Sequence, residues 1–148
     1  MSINSKGSER IAVAAVVAPG ALTAAAKSSG WVDTRLYTRL MGVISTGTLG
    51  TSATVDAKWV QADNSNGDNP QDSNVTALTQ IVKASGDNKQ AVMNFDPSQS
   101  SYPTKPWVKL VMTIGTATSD GTAIVLGIDA RHLPVSDFDP ASVVQVVG

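Results

Sequence analysis

Short segments with a two-residue hydrophobic period recur along this chain, and each ends in a cluster of Gly, Asp, Asn, Pro or Ser. Between positions 53 and 60, Ala53, Val55, Ala57 and Trp59 fall on one side while Thr54, Asp56 and Lys58 fall on the other. That period belongs to a half-buried β-strand. The polar tract 63–70 follows at once and holds only residues that favour a tight turn or a solvated loop. Positions 107–114 repeat the pattern, with Val108, Leu110, Met112 and Ile114 facing in and Lys109 and Thr113 facing out. Positions 90–95 do so again through Ala91, Met93 and Phe95. A chain built this way folds as an all-β domain.

The remaining segments extend that scheme. Positions 10–18 read as a first strand with Ile11, Val13 and Val17 inward, stopped by Pro19-Gly20. Over 35–45, Leu36, Thr38, Leu40, Gly42 and Ile44 oppose Arg35, Tyr37, Arg39, Met41 and Val43. The second set carries Arg35, Tyr37 and Arg39, large groups of the kind enriched at contacts, so this face is either solvated or an interface. With the turn 46–52 between them, this strand and 53–61 read as an antiparallel pair. Segment 74–83 is ambiguous: Val75, Leu78 and Val82 fit a helical stripe, while its Thr, Ile and Val content favours a strand, the preferred assignment. Pro97, Pro103 and Pro106 make 96–106 a stiff loop. The unbroken apolar run 122–128 reads as a central strand buried on both sides. Six to eight such strands with little helix predict a β-sandwich, jelly-roll-like.

Both ends differ from this body. Positions 1–9 are polar and read as a flexible N-terminal arm; the sandwich domain then spans 10–132. The apolar stretch after Arg10 is bordered by Glu9 and broken by Pro19-Gly20, which argues against a secretory signal. It is also far shorter than the roughly 20 residues of a membrane-crossing helix. Positions 133–148 hold two prolines and end in Val143, Val144, Val146 and Val147. A β-prone apolar end invites pairing, so this segment is either an extended arm that adds a strand to a neighbouring subunit or the last strand of the same sheet.

Chemistry is scarce. With no Cys and a single His, His132, the usual zinc ligand sets and a disulfide framework are excluded. No nucleophile elbow and no phosphate-binding glycine loop occurs. Tract 63–74 fails the calcium-loop pattern, since Gly67 stands fifth from Asp63 and Asn74 twelfth, where that loop needs Gly sixth and Glu twelfth. A weaker surface calcium site there stays open, beside a plain solvated loop tip. A net charge of −1 with scattered cations argues against nucleic acid, which demands a basic face. These features predict no catalytic residue, no cofactor and no membrane partner. Only 16% of residues are charged, which suits broad contacts with other protein. The candidate contact residues are Arg35, Tyr37 and Arg39, with Trp31 and Trp107, which either cap an end of the sandwich or dock on a partner, and the four terminal valines. Trp59 belongs to the core.

One resemblance covers 10–131. The segments 10–19, 30–37, 46–49, 55–59, 88–92, 108–110 with 113–115, and 125–131 resemble, in their order and spacing, the capsid decoration (cement) proteins of tailed bacteriophages and prophages. The resemblance implies a β-sandwich subunit on the outer surface of an icosahedral head, made in the host cytoplasm and assembled as a homodimer or homotrimer. Its partners would be the major capsid protein and itself, its role to hold capsid subunits together, and it would not be an enzyme. The segments beyond 131 lie outside the resemblance, so the role of the tail rests on its own residues. Two other classes compete: another virion part such as a tail tube, connector or spike, and a carbohydrate-binding or adhesion sandwich using Trp31, Trp107 or Tyr102 as a sugar platform.

Overall fold

The computed structural model describes residues 5–75, 77–135, 138–139 and 141–148. Among them run the strands β1 (Ile11–Leu22), β2 (Ala26–Ser28), β3 (Val32–Asp33), β4 (Tyr37–Thr46), β5 (Thr54–Ala62), β6 (Gln71–Asp72), β7 (Ile81–Val82), β8 (Gln90–Phe95), β9 (Trp107–Gly115) and β10 (Ser119–Ala130). A one-turn helix, α1 (Lys83–Gly86), and three 3-10 turns complete the regular structure there. One sheet has the order β1-β10-β4-β8, the other β2-β9-β5-β6, with β3 also on β9 and β7 on β5. Every pairing is antiparallel. Taking β2 with β3 and β6 with β7 as single positions, the chain visits the two sheets alternately except from β5 to β6. That is the path of an eight-position jelly roll.

The expected inward faces of β5 and β9 hold completely. Val55, Ala57 and Trp59 are buried, as are Val108, Leu110, Met112 and Ile114. In β8, Met93 and Phe95 are buried and Ala91 packs against the core. In β4, Leu40, Gly42 and Ile44 face in as well.

Four expectations are corrected. First, β4 and β5 are not neighbours but lie in opposite sheets. Leu49, midway along their connection, is itself buried and pins the crossing. Its N–H donates to Asp87 Oδ1 at 2.9 Å, and Lys83 Nζ donates to its carbonyl. Second, Ile11 and Val13 face outward, because a register shift between Val13 and Ala15 moves Ala12, Ala15 and Val17 to the inside. Pro19 does not stop the strand; β1 is an edge strand, where a missing N–H costs little. Third, the strand expected over 74–83 is confined to β7 at Ile81–Val82, and the helical stripe does not form among the described residues. Val75, Leu78 and Ile81 lean on the core, and the Leu78 N–H donates to the Ala57 carbonyl at 2.9 Å. Thr76 lies outside the described residues. Fourth, β10 is central but not buried on both sides, since Ile124, Leu126 and Ile128 stay half-exposed.

After an exposed start at Leu133 and Pro134, the tail enters the sandwich. Val135 is buried in the core, and its N–H donates to the Glu9 carbonyl at 3.0 Å. Phe138 packs on the same core, and the Asp139 N–H donates to the Val13 carbonyl at 2.8 Å. Thus Val135, Phe138 and Asp139 lie beside the start of β1 before the chain reaches the terminal valines. The expectations for positions 1–4, Ser136, Asp137 and Pro140 lie outside the described residues.

Gly127 gives a sharp test of packing. A Cβ there would overlap three ring carbons of Tyr37, whose ring is buried beside it. Overpacking of this kind costs about 1–3 kcal/mol. Gly127→Ala should lower the urea midpoint accordingly with an unchanged slope; an unaltered midpoint would mean that Tyr37 moves freely.

Candidate interface

Strand register determines which side chains share the outer face of the four-stranded sheet. Val16, Ile124, Val43 and Val92 form one row across β1, β10, β4 and β8. Val13, Leu126, Met41 and Asn94 form the next, and Ile11, Ile128 and Arg39 a third. The row at the other end is polar: Thr122, Ser45 and Gln90. Nine of the eleven side chains in the first three rows are apolar, and Val92 and Ile11 are 56% and 40% exposed. The open face of an antiparallel sheet normally carries polar residues. Here the carbon surface is continuous and meets charge only at its margin.

The other sheet is covered instead. Val60 and Val111 point outward from it yet are buried. The loop after β5 folds back, with Gly67 against the Trp31 ring so closely that a Cβ would sit 2.7 Å from it. Lys109 Nζ lies 4.7 Å from the centre of the same ring. Apart from the exposed Val82, the remaining outer surface carries polar pairs: Lys58 with Asp72 at 2.6 Å, and Gln80 donating to Asp56 at 2.8 Å.

The residues expected at contacts are thereby separated. Arg39 alone of the Arg35–Arg39 set lies on the apolar face, at its edge. Tyr37 is only 1% exposed and cannot be a contact group: Thr38 and Arg39 both point out, so the alternation slips and turns Tyr37 inward. Arg35 precedes the strand, in the 3-10 turn Thr34–Leu36. Its guanidinium grips Asp33 with two hydrogen bonds of 2.8 Å. Trp31 and Trp107 are half-buried. Of the terminal valines, Val143 is half-buried while Val144, Val146 and Val147 are 100%, 52% and 78% exposed. Sequence reasoning misses the centre of the face, Val43, Ile124 and Leu126. Their signal is the apolar run of β10 beside Met41 and Val43, which strict alternation groups with the arginines.

Little here is arranged for chemistry. Among the described residues no group of three His, Cys, Asp or Glu is placed to hold a metal. In the loop weighed for calcium, Lys105 Nζ donates to Asp63 Oδ1 and Asn69 Nδ2 to Asp63 Oδ2, each at 2.7 Å. These bonds, that from Lys105 first, hold the Asp63 carboxyl below its ordinary pKa. A cleft of about 290 Å³ opens beside Tyr102, lined also by Arg35, Gln61, Lys105 and Arg131. Gln61 fixes its wall, donating to the Lys105 carbonyl at 3.1 Å and accepting from Ser100 Oγ at 2.5 Å.

No protein-family model and no curated protein matches this chain. Solved structures do. All of the chain superposes on the PBSX exported protein XepA with a TM-score of 0.54 at 13% identity, covering 46% of that chain. This chain therefore spans about half the length of that protein. A carbohydrate-binding module specific for non-crystalline cellulose, CBM28, matches over 78% of this chain and 73% of its own, with a TM-score of 0.51 at 8% identity. At such identities the shared property is the fold. The chain is a jelly-roll β-sandwich.

Asp33 supplies a pH test. Burial opposes its ionisation, but the hydrogen bonds and charge of Arg35 outweigh burial, so its pKa lies below the ordinary 3.8. A depressed folded-state pKa stabilises above the unfolded value, and that stability is lost as pH falls through the folded one. Asp33→Asn should therefore be less stable than the parent at neutral pH, with the gap closing below about pH 4. Urea titrations across pH 2–7 check this; a gap that is constant with pH would refute it.

Proposed function

We propose that this chain is a virion structural protein that decorates the outer surface of a tailed-phage head and holds neighbouring major capsid protein subunits together. The observation that carries this reading is the presence of two uncovered apolar surfaces on one small sandwich. One is the outer face of the four-stranded sheet; the other is the exposed Val144, Val146 and Val147. A protein whose task is to bridge needs at least two contact surfaces, and engaging them together multiplies the strength of each. The sequence resemblance and the low charge support the same reading. In it the protein is not an enzyme, needs no cofactor and binds neither nucleic acid nor membrane. Among the described residues no helix is long and apolar enough to cross a membrane. The terminal valines are the strand-adding element that lies along the capsid lattice.

Two truncations test this. Removing 141–148 should leave the urea midpoint nearly unchanged while sharply reducing co-sedimentation with heads that lack the protein. Removing 133–148 also takes away Val135 and Phe138, and burial of two such side chains is worth about 3–6 kcal/mol, so that variant should be severely destabilised. Full head binding by the shorter deletion would remove the role given to the valines. A copy number of six or twelve per particle, in place of hundreds, would point to a tail or connector part.

The cleft beside Tyr102 favours one second reading, a carbohydrate-binding sandwich. There Tyr102 would be the aromatic platform, because Lys109 and Gly67 already occupy the Trp31 ring. Tryptophan fluorescence titrated with polysaccharides decides it: saturable quenching abolished by Tyr102→Ala favours sugar binding, and no response removes it.

A further inference from the structure

We infer that the outer face of the four-stranded sheet is the docking surface for a second copy of this chain, packed face to face about a two-fold axis. The inference builds on the two-surface reading above and assigns one of the two surfaces. Among the described residues nothing covers Val92 and Ile11 on this face, which stay exposed, and Val144, Val146 and Val147 of the tail are exposed too.

Size and charge select the occupant. Four strands about 4.8 Å apart and three rows about 6.8 Å apart give an apolar footprint of roughly 400 Å². Two such faces with their polar margins bury on the order of 1,000 Å², the low end for a specific interface. A face this small holds a partner only when nearly all of it is matched. An identical face has the same size and outline, and in a two-fold contact each pair of facing residues is made twice, so the two central apolar rows of one copy cover those of the other. Sheets so packed align to within about 30°. The centre of the face carries no charge, so the copy buries no unpaired ion. With the axis running across the strands, the row of Arg39 in one copy falls on the row of Thr122, Ser45 and Gln90 in the other. The guanidinium then meets hydroxyl and amide oxygens and not a second guanidinium.

The experiment is analytical ultracentrifugation of the full chain from about 1 to 100 μM, with the Val43→Glu/Leu126→Glu double variant alongside. The parent should be a dimer. The variant should associate about 100-fold more weakly or worse, since each carboxylate would be buried without a partner. Both substitutions point into solvent in the monomer, so circular dichroism should not change. If the double variant fails to fold, Val43→Cys serves in its place: the chain has no other cysteine, so a short bis-maleimide should link it to its twin. A parent that is monomeric or trimeric, a dimer that survives the glutamates, or a Val43→Cys variant that does not cross-link overturns the inference. Head co-sedimentation separates the two claims. A dimer that binds no head leaves this inference standing and defeats the virion role. A monomer whose head binding is abolished by the glutamates does the reverse.

Discussion

Trp59 resting on Gly42 is the contact that lets the two sheets close. Trp59 rises from β5 and is fully buried; Gly42 lies opposite in β4, where a Cβ would stand 3.3 Å from two of its ring carbons and from Leu110 Cδ2. Phe95 completes the group, its ring centre 5.5 Å from that of Trp59 at a tilt of 57°. Among the described residues no acceptor reaches the indole N–H. Such a group costs about 1–3 kcal/mol, whereas burying a side chain of this size recovers about 4–6 kcal/mol at 25 cal/mol per Å². Burial wins, and the tryptophan stays where its ring fills the gap left by glycine. The same device recurs where Tyr37 lies over Gly127. Trp59 over Gly42 thus sets how closely the two sheets approach, while Tyr37 over Gly127 sets the packing within one of them.

This explains why β4 and β5 read as a hairpin from sequence although only their inward faces are legible there. Alternation reports which side chains point inward; it says nothing of which strand lies alongside. Gly42 and Trp59 both point inward, and in a two-sheet fold inward faces meet across the core. The order of the strands depends on long-range contacts such as that of Leu49 in the crossing, which no local pattern displays. β5, β8 and β9 are legible because none contains a bulge over its apolar stretch. β1 is not, because one additional residue near Ala14 reverses the parity of Ile11 and Val13.

The tail illustrates a second kind of limit. By composition, 133–148 is one extended, sticky unit. Position by position it is two: Val135 and Phe138 pack on the core beside β1, while Val144, Val146 and Val147 stay exposed. Hydrophobicity alone cannot tell these apart, since Val135 and Val144 are the same residue type. What separates them is distance from the edge of β1, reached first through the bonds to Glu9 and Val13.

β10 carries the clearest functional argument in the molecule. Its inward positions are Ser119, Gly121, Ala123, Val125 and Gly127, whereas Ile124, Leu126 and Ile128 point outward. A strand serving only its own domain gains by doing the opposite, because each buried CH₂ contributes about 0.8 kcal/mol and an exposed one contributes nothing. Two of the small inward residues are required by what lies over them, Gly127 by the Tyr37 ring and Gly121 by the end of Met112. The large outward residues serve no such need within the monomer. Their apolar area would become stabilising only on removal from water, and the register brings Val16, Ile124, Val43 and Val92 into one charge-free row. The apolar run that reads as a strand buried on both sides is buried by the fold on one side only, and Ile124, Leu126 and Ile128 are left half-exposed on the other.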